Sequence, residues 1–322
     1  MDIKEIKLKD LKPAAFINEK VEEIAEVVGG GTAVNALSGG VDSAVVTLLG
    51  HKALGARLKT YFIENGLMRE GEPHRVQKLF ARYGVKVEII DEKQKFFAAL
   101  AGVTDPEEKR DKGITNVFYK EVFGPLVRQS GAKFLLQGTN YTDVEETVAG
   151  VKRQHNILAQ LGINTEAAYG YTVLEPIIEL RKPAVRVVAK ALKLPKEIYD
   201  RPPFPGPALA TRVIGEVTPQ KIALVRAATK IVEEILARSG AFQYLAILHD
   251  DRVTGIRDGR RDFGYQIEVR CWDSKDAVTG KPTELPFRQL RKIADRITAE
   301  VPGVVSVTYN IATKPPSCIE AV

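Results

Sequence analysis

The residues best placed to do chemistry are Ser38-Gly39-Gly40-Val41-Asp42-Ser43. Two glycines beside two hydroxyls and a carboxylate leave backbone N–H groups open to an anion, because no Cβ blocks a bulky ligand. The string lacks the lysine of a Walker A loop, so it predicts a nucleotide cradle other than that of P-loop GTPases and kinases. A cradle of this kind needs a strand before it and a helix after it. The run Ala33 to Leu37 is short and mostly apolar, as a buried parallel strand is. Ser43 to Leu54 carries Val45, Val46, Leu48, Leu49 and Leu54 and stops at Gly55, which predicts a helix whose positive end faces the loop.

The elements around it alternate. A helix is expected over Phe16 to Val28, a strand over Leu58 to Ile63, a helix with Val76, Leu79 and Phe80 inward, and a strand over Val85 to Ile90. This alternation predicts an α/β fold with a doubly wound parallel sheet, whose ligands sit beyond the carboxyl ends of the strands. Lys133 to Gln137 is a further strand, so Gly138-Thr139-Asn140 falls at the same end as the Ser38 loop. Between these strands Thr104-Asp105-Pro106-Glu107 opens a helix, with Thr104 as the expected cap. Lys109 and Arg110, which follow, read as a solvated face. Tyr141 to Tyr171 is polar and poorly periodic and is expected to form a lid or substrate loop. A strand-like piece over Tyr171 to Ile178 and a helix over Pro183 to Leu194 complete the first part.

The proline-rich stretch Arg201-Pro202-Pro203-Phe204-Pro205-Gly206-Pro207 marks a boundary and is expected to be a packed turn, since a plain linker has little use for its Phe. Residues 1–200 are expected to form one domain and residues 201–322 another, smaller and α+β. The second has a long helix from Thr218-Pro219, strands over Phe242 to His249, Tyr265 to Trp272 and Val304 to Ile311, and a helix over Phe287 to Ala299. Its sheet is expected to be antiparallel, with edges that a second copy of the chain could cover.

Composition narrows the class. The chain has 322 residues, 44% of them hydrophobic and 27% charged, which is that of a soluble globular protein. No apolar run reaches membrane-span length and the N-terminus has no signal-peptide core, so a cytoplasmic location is expected. The two cysteines, Cys271 and Cys318, read as reduced thiols, and the four histidines form no zinc pattern. The net charge of +6 suits an anionic substrate. The basic residues are interspersed with acids, and even the Arg257–Arg261 cluster is broken by Asp258, so nucleic-acid binding is not signalled.

The loop Ser38–Ser43 is similar to the pyrophosphate-binding loop of the N-type ATP pyrophosphatases. Within that group the chain resembles the ATP-pyrophosphatase part of GMP synthetases over nearly its whole length. The resemblance is carried by Gly102-Val103-Thr104-Asp105-Pro106-Glu107-Glu108-Lys109-Arg110, Gln137-Gly138-Thr139, Leu174-Glu175-Pro176, Phe204-Pro205-Gly206-Pro207, Lys314-Pro315-Pro316 and Ile319-Glu320. It implies an adenine-nucleotide hydrolase-like sheet with a C-terminal dimerisation domain, a homodimer, and a glutaminase carried on a separate subunit. It implies that ATP lies on Ser38, Gly39, Gly40, Val41, Asp42 and Ser43, with the adenine near Ile63, Gly138 and Thr139 and with Mg²⁺ on Asp42 and Asp143. Asp42 and the lid residue Lys152 take catalytic roles. Arg110, Lys314, Ile319 and Glu320 fall on positions that hold xanthosine monophosphate (XMP) or another anionic acceptor.

The implied reaction is attack of the XMP 2-oxygen on the α-phosphorus of ATP, loss of pyrophosphate, and displacement of AMP by ammonia to give GMP. The chain departs from the family in the lid, Lys152 to Leu161, where a paired His and two glycines are replaced. Glu64 stands for an Asp, Ala208 for a Gly, Asn140 and Thr142 replace residues of the usual turn, Asp258-Gly259 inverts a Gly-Asp, and Ala321-Val322 replaces a final Trp-Glu. Two other readings stay open on the sequence: a paralogue that adenylates a different nucleotide or tRNA, and an ATP-binding regulator with little turnover.

Overall fold

The computed structural model describes residues 3–148, 171–275 and 278–321. They gather into two compact units, one from Met1–Glu64, Glu72–Asp91 and Phe118–Arg201, the other from Asn65–Gly71, Glu92–Val117 and Pro202–Val322. No helix among the described residues is long and apolar enough to cross a membrane.

The first unit holds a five-stranded parallel sheet of β1 (Ala33–Ala36), β2 (Leu58–Glu64), β3 (Val87–Asp91), β4 (Phe134–Leu136) and β5 (Thr172–Leu174), in the order β3-β2-β1-β4-β5. The order reverses between β1 and β4, so their carboxyl ends open a switch-point crevice. Helices α1 (Pro13–Val28) and α2 (Val41–Leu54) pack together. Every residue of α2 from Ala44 to Gly50 is buried, as its all-round apolar sequence dictates. Gly55, at φ 57°, ends α2 as the sequence predicts. Helix α3 (Glu72–Ala81) buries Val76 and Phe80.

In the second unit, α4 (Lys93–Leu100) is followed by a short turn, α5 (Pro106–Glu108), that runs into a π-type helix, Lys109–Phe123, which begins in this unit and ends in the first. The cap of α5 is Asp105, not Thr104: its carboxylate accepts from the Glu107 and Glu108 N–H groups. Asp105 wins because it directly precedes Pro106, which takes the first helical position. Back in the first unit come α6 (Gly124–Ser130), α7 (Tyr141–Val148), α8 (Lys182–Ala191) and α9 (Lys196–Tyr199). The expected lid loop therefore starts as a helix. Asn140 and Asp143 cap it reciprocally, Asn140 Oδ1 accepting from Thr142 and Asp143 Oδ2 accepting from the Asn140 N–H. Arg181 then pins Glu145 with a two-pronged contact.

The second unit is completed by α10 (Pro219–Leu236), β6 (Gln243–Arg257), β7 (Arg260–Asp273), β8 (Lys281–Pro282), α11 (Phe287–Glu300) and β9 (Val304–Tyr309). α10 starts where Thr218-Pro219 predicts, and the Thr218 side chain caps it. β6 and β7 run well beyond the strands expected from the sequence and form one long hairpin, closed by Asp258 at φ 52° and Gly259 at φ 71°. An Asp-Gly pair with both φ values positive is the two-residue turn that matches strand twist. The sheet is not wholly antiparallel: β9 pairs with β7 in parallel, and Val305 is the extra residue of a bulge. Two glycines make room for it. A Cβ on Gly255 would lie 2.6 Å from Val305 Cβ, and one on Gly264 would lie 2.6 Å from the Gly303 carbonyl oxygen. Gly264→Ala is therefore expected to cost about 1–3 kcal/mol of stability through overpacking. Thermal melting checks this; an unchanged melting temperature would show that β9 is not held where the bulge places it.

Candidate functional site

The switch-point loop is built in the first unit. β1 ends at Ala36, the chain turns through Ser38 and Gly39, and α2 begins at Val41 behind the N-cap Gly40, which offers no side-chain cap. Gly39 has φ 81°, and a Cβ there would lie 3.0 Å from Val76 and 3.3 Å from Glu72 Oε1. The two hydroxyls knit the loop. Ser38 Oγ and Ser43 Oγ are 3.0 Å apart, Ser38 Oγ accepts from the Gly40 N–H, and Ser43 Oγ donates to the Gly40 carbonyl. Beneath them a buried ladder ties the loop to the sheet. Thr60 Oγ1 donates to Asn35 Oδ1 (2.8 Å), Asn35 Nδ2 to Thr47 Oγ1 (2.6 Å), and Thr47 Oγ1 to the Ser43 carbonyl (2.7 Å). Such a satisfied buried network rigidifies what it touches.

Gly138, at the end of β4, abuts this loop. A Cβ there would lie 3.2 Å from the Asp42 carbonyl carbon and from the Ser43 nitrogen. Thr139 is fully buried and its hydroxyl accepts from Gln137. Ile63 is buried in β2, paired with Ile90 of β3. Asp143 caps α7 as described. Lys152 and the rest of the divergent lid lie outside the described residues.

Cations surround the loop, and the sequence alone did not single them out. Lys182 Nζ is 3.8 Å from Asp42 Oδ2, and Arg186 stands one turn further along α8. Arg201 pairs with the buried Glu72 (2.6 Å) and reaches towards the Gly39 carbonyl (3.5 Å). The signal available was the Lys182–Arg186 spacing at the start of a helix, which puts both on one face. Burial pushes the Asp42 carboxyl up, and the charges of Lys182 and Arg186 oppose it. Asp42 Oδ1 is buried with no hydrogen-bond partner among the described residues. That orphaned oxygen fits a cation. The described residues hold no cluster of three or more His, Cys, Asp or Glu side chains for a metal. Mg²⁺ needs none, since it binds through one or two carboxylates and the phosphates of a nucleotide.

The remaining residues singled out from the sequence lie in the second unit. Lys109 is not on a solvated face: it is 2% exposed and its Nζ donates to the Val213 carbonyl (2.9 Å). Burial, helped by Lys221, lowers its pKa to about 8. The adjoining Arg110 is half-buried. Lys314 forms a backbone bridge to Gly280 in both directions. Ile319 is buried against Leu245, Ile247 and Trp272. The Glu320 carboxylate accepts from Gln243 Nε2 (2.7 Å), Arg212 Nε (3.4 Å) and Thr211 Oγ1 (3.4 Å). Two guanidinium groups stand over the Phe204 ring, Arg69 at 3.7 Å and Arg212 at 4.8 Å, so the proline-rich stretch is packed and not a bare linker.

Near the tail, Glu268 accepts from Arg270, His249 and Asn310. Burial alone would raise its pKa, but the hydrogen bonds from His249 and Arg270 bring it down to about 2. A carboxyl depressed on folding contributes stability above its unfolded pKa and loses it as pH falls through the folded value. Wild-type and Glu268→Gln melting temperatures are therefore expected to converge between about pH 4.5 and pH 2. A constant gap across that window would mean that Glu268 is not ionised in the fold.

The NAD synthase family model matches residues 12–206, and the model of the GMP synthase C terminal domain matches residues 230–321. The chain is similar to the B subunit of the glutamine-hydrolyzing GMP synthase of Archaeoglobus fulgidus, 47% identical over 305 residues that cover 95% of this chain and 98% of that protein. The same-named protein of Methanothermobacter thermautotrophicus is 44% identical, with 96% of this chain and 99% of that protein covered. That of Pyrococcus horikoshii is also 44% identical, with 95% and 98% covered. At such identity over nearly the whole length, the chain belongs to the family of GMP synthase B subunits.

Proposed function

We propose that this chain is the ATP-activating subunit of a GMP synthase, a ligase that forms a C–N bond. It adenylates XMP with loss of pyrophosphate, and ammonia then displaces AMP to give GMP. The observation that carries the reading is the Ser38–Ser43 loop at the sheet's switch point, with its cations and the orphaned Asp42 oxygen. The N-terminus of α2 offers its backbone donors and dipole to the pyrophosphate. Lys182 and Arg201 supply the positive charge that a Walker lysine gives elsewhere. Charge that builds on the leaving pyrophosphate is met by groups already fixed in place, which is where electrostatic catalysis is strongest. Asp42 would hold Mg²⁺, with Asp143 as a second candidate ligand, and the bound ion would neutralise phosphate charge. Ile63, Gly138 and Thr139 border the adenine, and Lys152 acts from the lid.

The acceptor reading rests on the second unit, which carries Arg110, Lys314, Ile319 and Glu320. We divide the roles between residues 1–200 for ATP and residues 201–322 for acceptor binding and dimerisation, with Arg110 added from Glu92–Val117. Ammonia is supplied by a separate glutamine-hydrolysing subunit, as the names of the relatives suggest. The enzyme works in the cytoplasm, where Cys271 and Cys318 stay as thiols. A second copy of the chain covers the apolar groove between α11 and β9, lined by Phe287, Leu290, Ile293, Val307 and Tyr309.

The full chain with ATP, Mg²⁺, XMP and ammonium is expected to form GMP and AMP; pyrophosphate release without GMP would overturn the choice of acceptor. Asp42→Asn is expected to lower kcat by about a hundredfold, since it removes the carboxylate that would hold Mg²⁺ against the negative charge that develops. Wild-type kcat in that variant would remove Asp42 from the mechanism. Sedimentation velocity is expected to give a dimer, and a monomer at micromolar concentration would refute the groove as a self-association face.

A further inference from the structure

One side chain grips the C-terminal tail of the second unit along its backbone. Arg270 of β7 sends Nη1 to the carbonyl oxygens of Cys318 (2.5 Å), Ile319 (3.3 Å) and Glu320 (3.3 Å). Three successive carbonyl oxygens turned towards one point repel each other, and the turn needs a cation at its focus. A guanidinium supplies the charge with donors in a fixed plane. Arg270 is itself held from behind. Its Nε donates to Glu268 Oε1 (2.5 Å), Glu268 Oε2 lies 2.8 Å from His249 Nε2, and Asn310 Nδ2 donates to Glu268 Oε1 (3.0 Å). Both Arg270 and Glu268 are buried at 9% exposure, so the pair is shielded from solvent competition.

The tail so held has little freedom left. Ile319 fills an apolar socket of Leu245, Ile247 and Trp272, and the Glu320 carboxylate is aimed by Gln243, Arg212 and Thr211. Those contacts fix the two side chains, whereas Arg270 holds the three successive carbonyls of the backbone that carries them.

We propose that Arg270 is a positioning residue for acceptor recognition: it holds the turn at residues 318–320 so that Ile319 and Glu320 are presented to the acceptor nucleotide from a preset tail, with Glu268 and His249 holding it in place. The proposal rests on the reading of the tail as an acceptor-binding element. It gives Arg270 no contact with the acceptor. A lysine keeps the charge but, as a single donor point, cannot span Glu268 and the carbonyl cluster together. A residue that merely stabilised β7 would alter melting and leave substrate constants alone.

The test uses the full chain with ATP, XMP and ammonium. Arg270→Lys is expected to raise KM for XMP about tenfold, the effect of about 1.4 kcal/mol of lost positioning, and to leave KM for ATP and kcat within about twofold. Glu268→Gln is expected to move KM for XMP in the same direction and, should Arg270→Lys fail to fold, carries the test alone. In the double variant with Glu320→Ala, Arg270→Lys is expected to raise KM for XMP by less than it does alone, because part of its effect runs through Glu320. If Glu320→Ala raises KM for XMP while Arg270→Lys and Glu268→Gln do not, the positioning role is wrong and the tail reading stands. Additive effects in the double variant also overturn the positioning role. If neither Glu320→Ala nor Lys314→Ala changes KM for XMP, the tail reading itself falls.

Discussion

Two stretches of backbone come closer at the ends of β1 and β4 than side chains would allow, and the first unit is arranged around that approach. Gly138 leaves no Cβ where the Asp42 and Ser43 backbone passes, and Gly39 leaves none where Val76 and Glu72 close in. The approach delivers the positive end of α2 to the crevice, and that end attracts anions whatever their identity. It also brings a carboxylate, Asp42, into a poorly solvated place beside Lys182 and Arg186. Cationic walls and one buried acid suit a polyphosphate that arrives with a metal ion better than a bare anion. A bare anion would be repelled by Asp42 and gain nothing from it.

The second unit solves a different problem, which is to hold irregular chain without a strand ladder. Charges and aromatic faces do this in series. Glu233 holds Arg69, Arg69 and Arg212 both lie over the Phe204 ring, and Arg212 reaches Glu320. Arg226 adds bonds to the carbonyls of Gly66 and Met68. Segments far apart in sequence, 65–71, 202–213 and the tail, are thereby joined by guanidinium groups, which can stack and donate at once where an ammonium cannot.

Much of this was legible in the sequence because local signals agree with tertiary structure. The Ser38–Ser43 string, the Gly55 stop, the Thr218-Pro219 helix start and the proline-rich turn each have a mechanism that acts within a few residues. What the sequence hid depends on distant partners. Lys109 and Arg110 are adjacent and look alike, yet Lys109 is buried because Val213, far along the chain, offers it a carbonyl. Lys182, Arg186 and Arg201 gain meaning only once α8 and the end of the unit stand beside the loop. The long β6–β7 hairpin is a different case: Asp258-Gly259 is a strong turn signal, but the charged residues on either side of it lack the apolar alternation that marks a strand.

The strand order carries a consequence for how the protein comes into being. Ala33 of β1 pairs with Leu58 of β2, the next strand along the chain, but on its other edge with Phe134 of β4. The loop is thus encoded near the start of the chain, while one wall of its crevice exists only after β4 has been synthesised and docked. Parallel pairings at such separation demand loop closure before they return any contact energy and are slow to form. A newly made chain therefore carries the Ser38–Ser43 sequence long before it carries the crevice, and whatever the crevice binds must wait for the finished sheet.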